Sequence, residues 1–397
     1  MKKKIAIIGG GTSCLFLASF LDEDKYDITI YEKKSSLGRK FLVAGDGGFN
    51  LTYAEGLPIF KTRYSPTNFL DTALDYFSND HLIEWLIQLG ISTFVGSSGR
   101  VFPIKGIKPI DVLKSIKSHL IIKGVQFEFN KTFTGWKDNK ALIFNTDEII
   151  DYDIAVFALG GASWKVTGSD GSWFNLFKKK KISTVPFRAS NCAFKVNWDK
   201  AFILNHEGQP LKNIAITINN KTQKGEVVIT QFGIEGNGIY GLSPEIQDSI
   251  EKQKVAKVFI DFKPSLDLET VINKLTQSNS NISTSLKEKL KLTRPIIDLI
   301  KETLSKEEYL DIKILAQFIK AFPLRLIDSA TINEAISTSG GVSLDAIDEH
   351  YQLKGLKNNF CVGEMLDWDA PTGGYLIQAC ASMGAHLAHY LNHICPK

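Results

Sequence analysis

The sequence predicts an α/β protein built on a doubly wound parallel sheet, and three observations support this prediction. The apolar run Ile5–Ile8 ends in three glycines and leads directly into residues with helical spacing. A second apolar run, Ile28–Tyr31, ends in the acidic residue Glu32. A third run, Ile154–Ala158, is followed by Leu159 and another glycine pair. Short apolar runs of this kind are typical of strands buried on both faces of a parallel sheet.

The glycine-rich turn after the first strand is predicted to cradle a phosphate. Gly9 supplies a tight turn, and Gly11 lets the backbone approach a pyrophosphate at the start of the helix, where Thr12 and Ser13 follow. Free N–H groups and the helix dipole favour negative charge at that end. Cys14 stands where the usual pattern has a third glycine for close helix–strand packing. Because cysteine is small, we expect the site to be kept.

Glu32 strengthens the prediction of a dinucleotide site. It lies about 20 residues after the first turn, where an acid binds the adenosine ribose hydroxyls. A glycine turn alone is also explained as a simple tight turn, but the turn and the acid together favour a dinucleotide. An acid at this point disfavours a 2′-phosphate, so NADP is not expected in this pocket.

Length and composition indicate an ordinary globular protein. The chain has 397 residues, which suggests two or three domains, and 44% of them are hydrophobic. The basic start Lys2–Lys4 precedes an apolar stretch too short for a signal peptide, so the sequence indicates a cytoplasmic protein. The cysteines are scattered without a C-x-x-C pair, which predicts core thiols rather than disulfides or zinc: Cys14, Cys192, Cys361, Cys380 and Cys395.

Charge is mildly positive overall. The formal net charge is +4, and the basic run Lys178–Lys181 is interpreted as a solvated helix face rather than a nucleic-acid patch. Charge alone does not settle whether RNA is a partner.

The stretch from Ser35 to Thr52 is rich in glycine and is predicted to be a loop lying along a ligand. Arg39 and Lys40 can meet phosphates there, and backbone N–H groups can bind ring heteroatoms. The alternative is a mobile surface loop. The stretch follows directly on the strand that ends at Glu32, and this position favours a loop that lies along a ligand.

Further elements follow from periodicity. Helical spacing covers Asn68–Leu89 and Ile110–Lys123, whereas Val125–Phe133 and Ala141–Phe144 alternate as strands. The strand ending at Ala158 brings a second glycine turn, with Gly160, toward the cofactor.

A set of motifs, taken together, resembles the BaiN/YhiN-type flavoprotein family and covers nearly the whole chain in order. The motifs are Gly9–Gly11, Gly38–Lys40 through Gly47–Asn50, Gly99–Pro103, Ala158–Trp164, Gly363–Asp367 and Pro371–Tyr375. The resemblance implies FAD rather than NAD at the first site. It also implies that an acid after the last strand, Glu364, holds the ribityl chain, with Asp367 as a neighbour.

The resemblance further implies a discontinuous layout. A Rossmann-like FAD-binding domain covers 1–187 and 336–397, an inserted β-barrel-like domain covers 188–263 and 320–335, and a helical cap covers 264–319. Composition agrees, because short alternating strands such as Ile214–Ile218 and Val227–Thr230 precede a Lys- and Glu-rich helical stretch, Leu266–Ala321.

The turn Thr372-Gly373-Gly374-Tyr375 is predicted to begin the last helix, with Thr372 as its N-cap. Two glycines there let N–H groups approach a flat ligand, and the resemblance puts the flavin N1/O2 edge at this point. The motifs and the resemblance together predict FAD contacts at Gly9, Gly11, Thr12, Ser13, Cys14, Glu32, Lys33, Gly38, Arg39, Lys40, Gly47, Gly48, Asn50, Phe133, Gly160, Gly363, Glu364, Asp367, Gly373, Gly374, Tyr375 and Leu376.

Two other patterns have competing interpretations. Gly236-Asn237-Gly238-Ile239-Tyr240-Gly241 spells a dinucleotide motif, but Pro244 leaves room for only a short helix before the next strand, so a substrate-domain loop facing the flavin is preferred. His386, His389 and His393 share a helix face, and only Cys395 joins them at metal-ligand spacing, so a packed or solvated face is preferred and no metal site is predicted.

The sequence therefore predicts an FAD-dependent oxidoreductase that moves a hydride through flavin N5. Substrate contacts are expected at Arg100, Tyr240 and Tyr375. The resemblance implies several substrates, and we favour reduction of a C=C bond in a small molecule with NAD(P)H as a transient donor. The alternatives are an RNA-base-modifying, dihydrouridine-forming enzyme, an amine oxidase, and a flavin sensor without turnover. An RNA enzyme would need a basic face.

Overall fold

A computed structural model describes residues 2–43, 49–145, 147–277 and 281–393. The chain divides into two compact units, which we call the first unit (Met1–Arg188 with Ile336–Lys397) and the second unit (Ala189–Ala335). Each unit has a hydrophobic core of its own.

The helices and strands alternate along the start of the first unit. In chain order they are β1 (Lys3–Ile8), α1 (Thr12–Phe20), β2 (Tyr26–Glu32), α2 (Arg39–Val43), β3 (Thr52–Tyr53), α3 (Leu57–Lys61), α4 (Asp71–Tyr76), α5 (Asn79–Gln88), β4 (Thr93–Val95), β5 (Arg100–Pro103), α6 (Pro109–Ile122), β6 (Gln126–Phe129), β7 (Phe133–Trp136), β8 (Ala141–Phe144), β9 (Glu148–Asp151), β10 (Ile154–Phe157), α7 (Phe174–Lys179) and β11 (Thr184–Ser190).

The second unit follows, and the chain then returns to the first. The second unit forms β12 (Phe194–Lys195), α8 (Lys200–His206), β13 (Pro210–Ile218), β14 (Lys221–Ile229), β15 (Gly233–Glu235), α9 (Asn237–Tyr240), α10 (Ser243–Gln253), β16 (Ala256–Asp261), α11 (Leu268–Thr276), α12 (Ile282–Glu288), α13 (Arg294–Thr303), α14 (Lys306–Leu310), α15 (Ile312–Lys320), β17 (Phe322–Leu326) and β18 (Asp328–Ser329). The return consists of β19 (Ser337–Val342), β20 (Asn359–Cys361) and α16 (Tyr375–His393).

The core of the first unit is a five-stranded parallel sheet in the order β20-β10-β1-β2-β6. Numbered along the chain, these strands lie in the order 5-4-1-2-3, which is the doubly wound arrangement. The strand order reverses between β1 and β10. The predicted α/β fold with a parallel sheet is therefore confirmed. In open sheets of this kind, ligands bind beyond the carboxyl ends of the strands at the point where the order reverses.

Apolar burial explains why these segments become the centre of the unit. Ile5, Ile7 and Ile8 are at most 1% exposed, and Val156 on the neighbouring strand is fully buried. Helices α1 and α16 pack against each other beside the sheet. Strands covered on both faces must be apolar throughout, which is the pattern of the predicted runs.

A smaller three-stranded antiparallel sheet, in the order β3-β5-β4, lies in the same unit. One of its faces is buried: Thr52 and Val101 pair across two strands and are both fully buried. Because side chains alternate along a strand, the opposite face presents Tyr53, Arg100, Phe102 and Phe94. We call these four side chains the aromatic face.

The second unit contains a seven-stranded sheet in the order β17-β16-β13-β14-β15-β12-β18, and its neighbouring strands pair antiparallel. Closure of this sheet into a barrel stays a prediction. Residues of helices α11–α15 share one apolar core with the sheet. The predicted separate helical domain at 264–319 also stays a prediction.

Several predicted elements have different bounds in the structure. The helical pattern of Asn68–Leu89 forms two helices, because the Ser78 side chain accepts a hydrogen bond from the His81 N–H and starts α5 afresh. The alternating run Val125–Phe133 is divided between β6 and the start of β7, which belong to different sheets. The predicted loop Ser35–Thr52 contains the short helix α2.

The last helix begins later than predicted. Its first residue is Tyr375, and the Gln378 N–H donates to the Gly374 carbonyl at 2.9 Å. Gly374 therefore holds the N-cap position that was predicted for Thr372. Within the described residues, no helix is long and apolar enough to cross a membrane.

Candidate functional site

The glycine turns of β1 and β10 meet where the sheet changes strand order. Gly9 has a φ of +101°, and a Cβ at that position would lie 2.4 Å from the Ala158 carbonyl oxygen. Only glycine fits, because the ends of the two strands approach too closely for a side chain. The first turn is thereby fixed at the edge of the sheet where ligands bind.

The start of α1 is open. Its N-cap is Gly11, and in the described part of the chain no side chain caps it. A Cβ on Gly11 would meet no atom within 4 Å. The first N–H groups of a helix lack partners inside the helix and are strong sites for anions. Thr12 and Ser13 form the first turn, so this end suits a pyrophosphate.

Glu32 lies directly beside this turn. Its Oε2 accepts a hydrogen bond from the Gly10 N–H at 2.7 Å, and its Oε1 accepts one from the Lys34 N–H at 2.7 Å. A carboxylate has about four acceptor sites, so both oxygens can still accept ribose hydroxyls. Lys33 points elsewhere, since its ammonium pairs with Asp170 at 2.8 Å.

Lys40 and Glu364 form a half-buried ion pair at the carboxyl ends of the central strands. The Lys40 Nζ lies 2.8 Å from each Glu364 carboxylate oxygen and 2.9 Å from the Ser163 Oγ. The Thr338 N–H also donates to Glu364, at 3.3 Å. The structure thus brings together a base and an acid that lie more than three hundred residues apart in the sequence.

Two polar atoms near these turns are buried and lack a hydrogen-bond partner among the described residues. They are the Arg39 Nε and the Ser169 Oγ. A Cβ on Gly160 would lie 3.4 Å from this Ser169 hydroxyl. Buried polar groups are nearly always satisfied, so unpaired ones indicate a missing partner. Together with the open start of α1, these atoms fit a bound dinucleotide.

Several glycines of the predicted FAD contacts are explained by packing within the protein. A Cβ on Gly38 would lie 2.7 Å from the Leu113 side chain, and one on Gly363 would lie 2.2 Å from the Ser13 Oγ. A Cβ on Gly374 would lie 2.5 Å from the Thr52 Cα. Gly374 therefore lets the start of α16 rest on β3.

Gly373 is different, because a Cβ there would only touch its neighbours. It would lie 3.6 Å from the Arg100 Nε, 3.6 Å from the Tyr375 ring and 3.7 Å from the Tyr53 ring. The Tyr53 and Tyr375 rings stack with centroids 5.3 Å apart. The Arg100 side chain forms no ion pair with any described residue. A cation without an ion-pair partner beside Gly373 and the two stacked tyrosines suits a carbonyl or an anion.

The Tyr375 hydroxyl is not free. It donates to the Glu55 Oε1 at 2.7 Å, and Arg63 binds the same carboxylate through Nε at 2.9 Å and through its terminal nitrogen at 2.7 Å. Burial, followed by the hydrogen bond to Glu55, raises the pKa of Tyr375 well above its usual range. Glu55 and Arg63 were missed by sequence reasoning, because nothing in the local sequence separates them from ordinary surface charges.

The remaining predicted FAD contacts are less exposed to a ligand. Cys14 is fully buried, and burial followed by the Glu32 charge raises the pKa of its thiol well above the usual value. The Phe133 ring packs 5.2 Å from the Phe157 ring in the core. Asp367 accepts a hydrogen bond from the Gly340 N–H at 2.9 Å. Asn50 and Leu376 are half-buried, whereas Gly47 and Gly48 lie outside the described residues.

The motif around Tyr240 lies in the second unit, and its glycines serve packing. A Cβ on Gly236 would lie 2.7 Å, and one on Gly238 would lie 3.1 Å, from the Glu226 carbonyl oxygen of β14. Helix α9, which begins after Gly236 and contains Gly238, has only four residues. Burial, followed by the charge of Glu235, raises the pKa of Tyr240 to about 12.

The histidines of α16 make aromatic and polar contacts. The His386 Nδ1 lies 3.2 Å from the Tyr351 hydroxyl, and the His389 and His393 rings lie 4.7 Å apart. Within the described residues no group of three potential ligands could hold a metal ion.

Known proteins resemble the chain over most of its length. The family model described as "HI0933-like protein Rossmann domain" matches residues 3–390. The chain is 25% identical over 394 residues to a ribosomal RNA dihydrouridine synthase of Haemophilus influenzae, covering 94% of each chain. It is 22% identical over 389 residues to the Escherichia coli protein of the same name, again covering 94% of each. It is 25% identical over 283 residues to a 3-dehydro-bile acid delta(4,6)-reductase of Clostridium scindens, covering 68% of this chain and 66% of that protein.

Proposed function

This chain belongs to the HI0933-like family and is an FAD-dependent oxidoreductase, and from that premise we propose that it reduces a ring C=C bond with NAD(P)H as electron donor. The observation that carries the proposal is the Arg100 guanidinium, which forms no ion pair with a described residue and lies beside Gly373, as do the stacked Tyr53 and Tyr375 rings. A cation there can polarise a carbonyl conjugated to the double bond.

Different residues of the first unit are assigned to different parts of the FAD molecule. We assign the ribose of the adenosine to Glu32, and the pyrophosphate to the open start of α1 with Arg39. The Lys40–Glu364 pair, with Gly363 behind it, is assigned to the ribityl chain. The ring system is assigned to Gly373, at the start of α16. When bound, FAD supplies hydride transfer through its N5 atom.

The protein's own part in the reaction is positioning and charge. Arg100 draws electron density toward the substrate carbonyl, which makes the far carbon of the double bond the hydride acceptor. The stacked Tyr53 and Tyr375 rings form an apolar wall beside that carbonyl and exclude water. Glu55 and Arg63 hold the Tyr375 ring in place through its hydroxyl. The second ring carbon takes a proton to complete the reduction.

The relatives support ring reduction as the reaction class. Dihydrouridine is uridine with its ring double bond reduced, and a delta(4,6)-reductase acts on double bonds of a ring system. In both rings the double bond is conjugated to a carbonyl, which is the feature that Arg100 suits.

A uracil ring in RNA is a second candidate substrate, beside an enone in a small molecule. The share of each chain that the relatives match favours RNA. The two relatives named for RNA match over 94% of both chains, whereas the bile acid reductase matches over 66% of its own length.

Anaerobic stopped-flow absorbance tests the reaction class. We expect NADH or NADPH to bleach the flavin rapidly, and a substrate with an enone or uracil ring to restore its colour. Arg100→Gln should leave bleaching by NAD(P)H unchanged and slow the second step about a hundredfold or more, the scale for losing one group that stabilises negative charge on a carbonyl oxygen. Slow bleaching with rapid reoxidation by oxygen would instead indicate an oxidase, and absence of bleaching a sensor.

A further inference from the structure

None of the four side chains of the aromatic face in the β3-β5-β4 sheet is among the residues assigned to FAD. We infer that this face binds single-stranded RNA and leads one base toward Arg100. The inference rests on the proposed function, since it supplies a route for a uracil ring to the proposed site.

The four side chains form a continuous row that starts at the site. Tyr53 stacks on Tyr375 with centroids 5.3 Å apart and is paired across strands with Arg100. Phe102 lies two residues further along β5, on the same side as Arg100. Phe94 pairs with Phe102, and their rings stack with centroids 5.7 Å apart and planes 27° apart. The row thus leads from the buried Tyr375 to the surface.

Exposure increases along the row. Tyr375 is 4% exposed, whereas Phe94 is 49% exposed. Exposed aromatic rings on a sheet are the usual platform for unpaired bases, because every base has a face that can stack. The buried face of the sheet, with Thr52 and Val101, already supplies the packing that holds the strands together. The outer rings are therefore not needed for the core.

Positive charge is concentrated in the same segment. Residues 93–123 contain six Lys or Arg residues and one acid, Asp111, whereas the whole chain has a net charge of only +4. Lys123 pairs with Glu23. Lys105, Lys108 and Lys114 form no ion pair within the described ranges. The rest of the chain is close to neutral, so an anionic polymer would meet this segment first.

Aromatic rings and free lysines on one segment distinguish RNA from a small apolar substrate. A small ring substrate occupies only the site itself, whereas a row of rings that leads to the surface, with lysines after it, matches the length of a polymer. Bases that stack on Phe94 and Phe102, with phosphates near Lys105 and Lys108, use both features.

Fluorescence anisotropy with a short fluorescein-labelled oligouridylate tests the inference on the FAD-loaded full-length protein. Phe94→Ala should weaken binding about fivefold or more, the lower end expected for loss of one stacked base. The matched control is Phe259→Ala, a similarly exposed phenylalanine of the second unit, at 39%. This control should leave the affinity unchanged.

Salt dependence tests the charge. Lys105→Gln with Lys108→Gln should reduce the slope of log affinity against log salt by about 1.4, because each phosphate contact on a single strand contributes about 0.7. Lys178→Gln with Lys179→Gln removes the same charge from the other basic run and should leave the slope unchanged. Equal effects of the two double variants, or of Phe94→Ala and Phe259→Ala, would overturn the inference.

A separate readout distinguishes this inference from the proposed function. Bleaching of the flavin by NADPH is measured in every variant and should be the same in all. If the wild type is bleached normally but does not bind the oligouridylate, the RNA surface is wrong and ring reduction stands. If RNA binds as expected but neither uracil nor an enone restores the flavin colour, the surface stands and the proposed reaction is wrong.

Discussion

Glu32 is the residue whose side chain joins the two loops of the nucleotide site, through hydrogen bonds from Gly10 and Lys34. Glu32→Gln leaves one acceptor oxygen for two backbone donors and removes the charge. We expect FAD binding to weaken by about 1.5–3 kcal/mol, the scale for hydrogen bonds to charged groups. A fluorescence titration of apoprotein with FAD measures this, with Glu128→Gln on the neighbouring strand as control. Wild-type affinity in Glu32→Gln would contradict the assignment.

Glu55 gives a prediction about pH. Burial alone raises the pKa of Glu55, but the hydrogen bonds from Arg63 and Tyr375 and the charge of Arg63 outweigh burial and lower it below its usual value. A carboxyl whose pKa is lower in the folded state stabilises the protein above its unfolded pKa, about 4.3. That contribution is lost as pH falls through the folded value.

Urea unfolding between pH 6 and the acid limit of folding, at about 25 °C, measures this contribution. The free energy of unfolding of the wild type should fall below about pH 4.3, and Glu55→Gln should fall less steeply there. The difference between the two curves isolates Glu55 from the other carboxylates. Parallel curves would show that the Arg63–Glu55–Tyr375 contact does not affect stability.

The glycines of the motifs illustrate which features a sequence motif predicts and which it does not. The motifs placed the glycine turns correctly at the ends of β1 and β10, because strand ends and glycine runs are local features. They could not tell whether a glycine faces a ligand or another part of the chain. Gly11 faces open space and Gly373 has side chains at contact distance only, whereas Gly38 and Gly374 make room for Leu113 and Thr52.

At the scale of elements, the start of α16 depends on close contact with β3. Gly373 and Gly374 both have positive φ, of +118° and +100°, so alanine is strained at either position. Only at Gly374 would the added Cβ meet backbone, 2.5 Å from the Thr52 Cα. We expect Gly374→Ala to lower the free energy of unfolding by about 1–3 kcal/mol more than Gly373→Ala, the usual cost of overpacking.

Urea denaturation of the two alanine variants measures this difference, with each variant serving as control for the other. Equal stability of the two alanine variants would show that Thr52 moves aside.

Element ends were the least predictable part of the fold. The apolar period in Asn68–Leu89 continues through Ser78, and only the hydrogen bond of its side chain to the His81 N–H reveals a new helix. Thr372 has the right chemistry for an N-cap, but the chain must still turn through two glycines before α16 can rest on β3. Periodicity reports which residues are buried, and it contains little information on where a helix starts.

At the scale of the whole molecule, the two units have separate cores, and the residues assigned to FAD that are described lie in the first unit. We expect the purified protein to be yellow and to release nearly one FAD per chain on denaturation. Adding FAD to apoprotein should slow hydrogen exchange in β1 and β10 and leave β13 and β16 unchanged. A ligand stabilises the folded unit to which it binds, by about 2.7 kcal/mol when its free concentration is a hundred times its Kd.

Hydrogen exchange with mass spectrometry, with and without FAD, checks this expectation peptide by peptide. Uniform protection of both units, or a colourless protein that binds NAD but not FAD, would contradict it.

The long-range side-chain pairs of the candidate site could not have been predicted from one sequence. Tyr375 meets Glu55 across 320 residues and Glu364 meets Lys40 across 324, and no local pattern records such contacts.

The return of the chain to the first unit sets an order of events during synthesis on the ribosome. The second unit is one continuous segment, so it can fold as soon as Ala335 has emerged. The parallel sheet cannot be completed until β20 has been made, and Lys40 waits without its partner Glu364 until then. We therefore expect FAD to enter late, after translation has passed the second unit. A nascent chain stalled before β20 should be colourless, while its inserted unit already resists proteolysis.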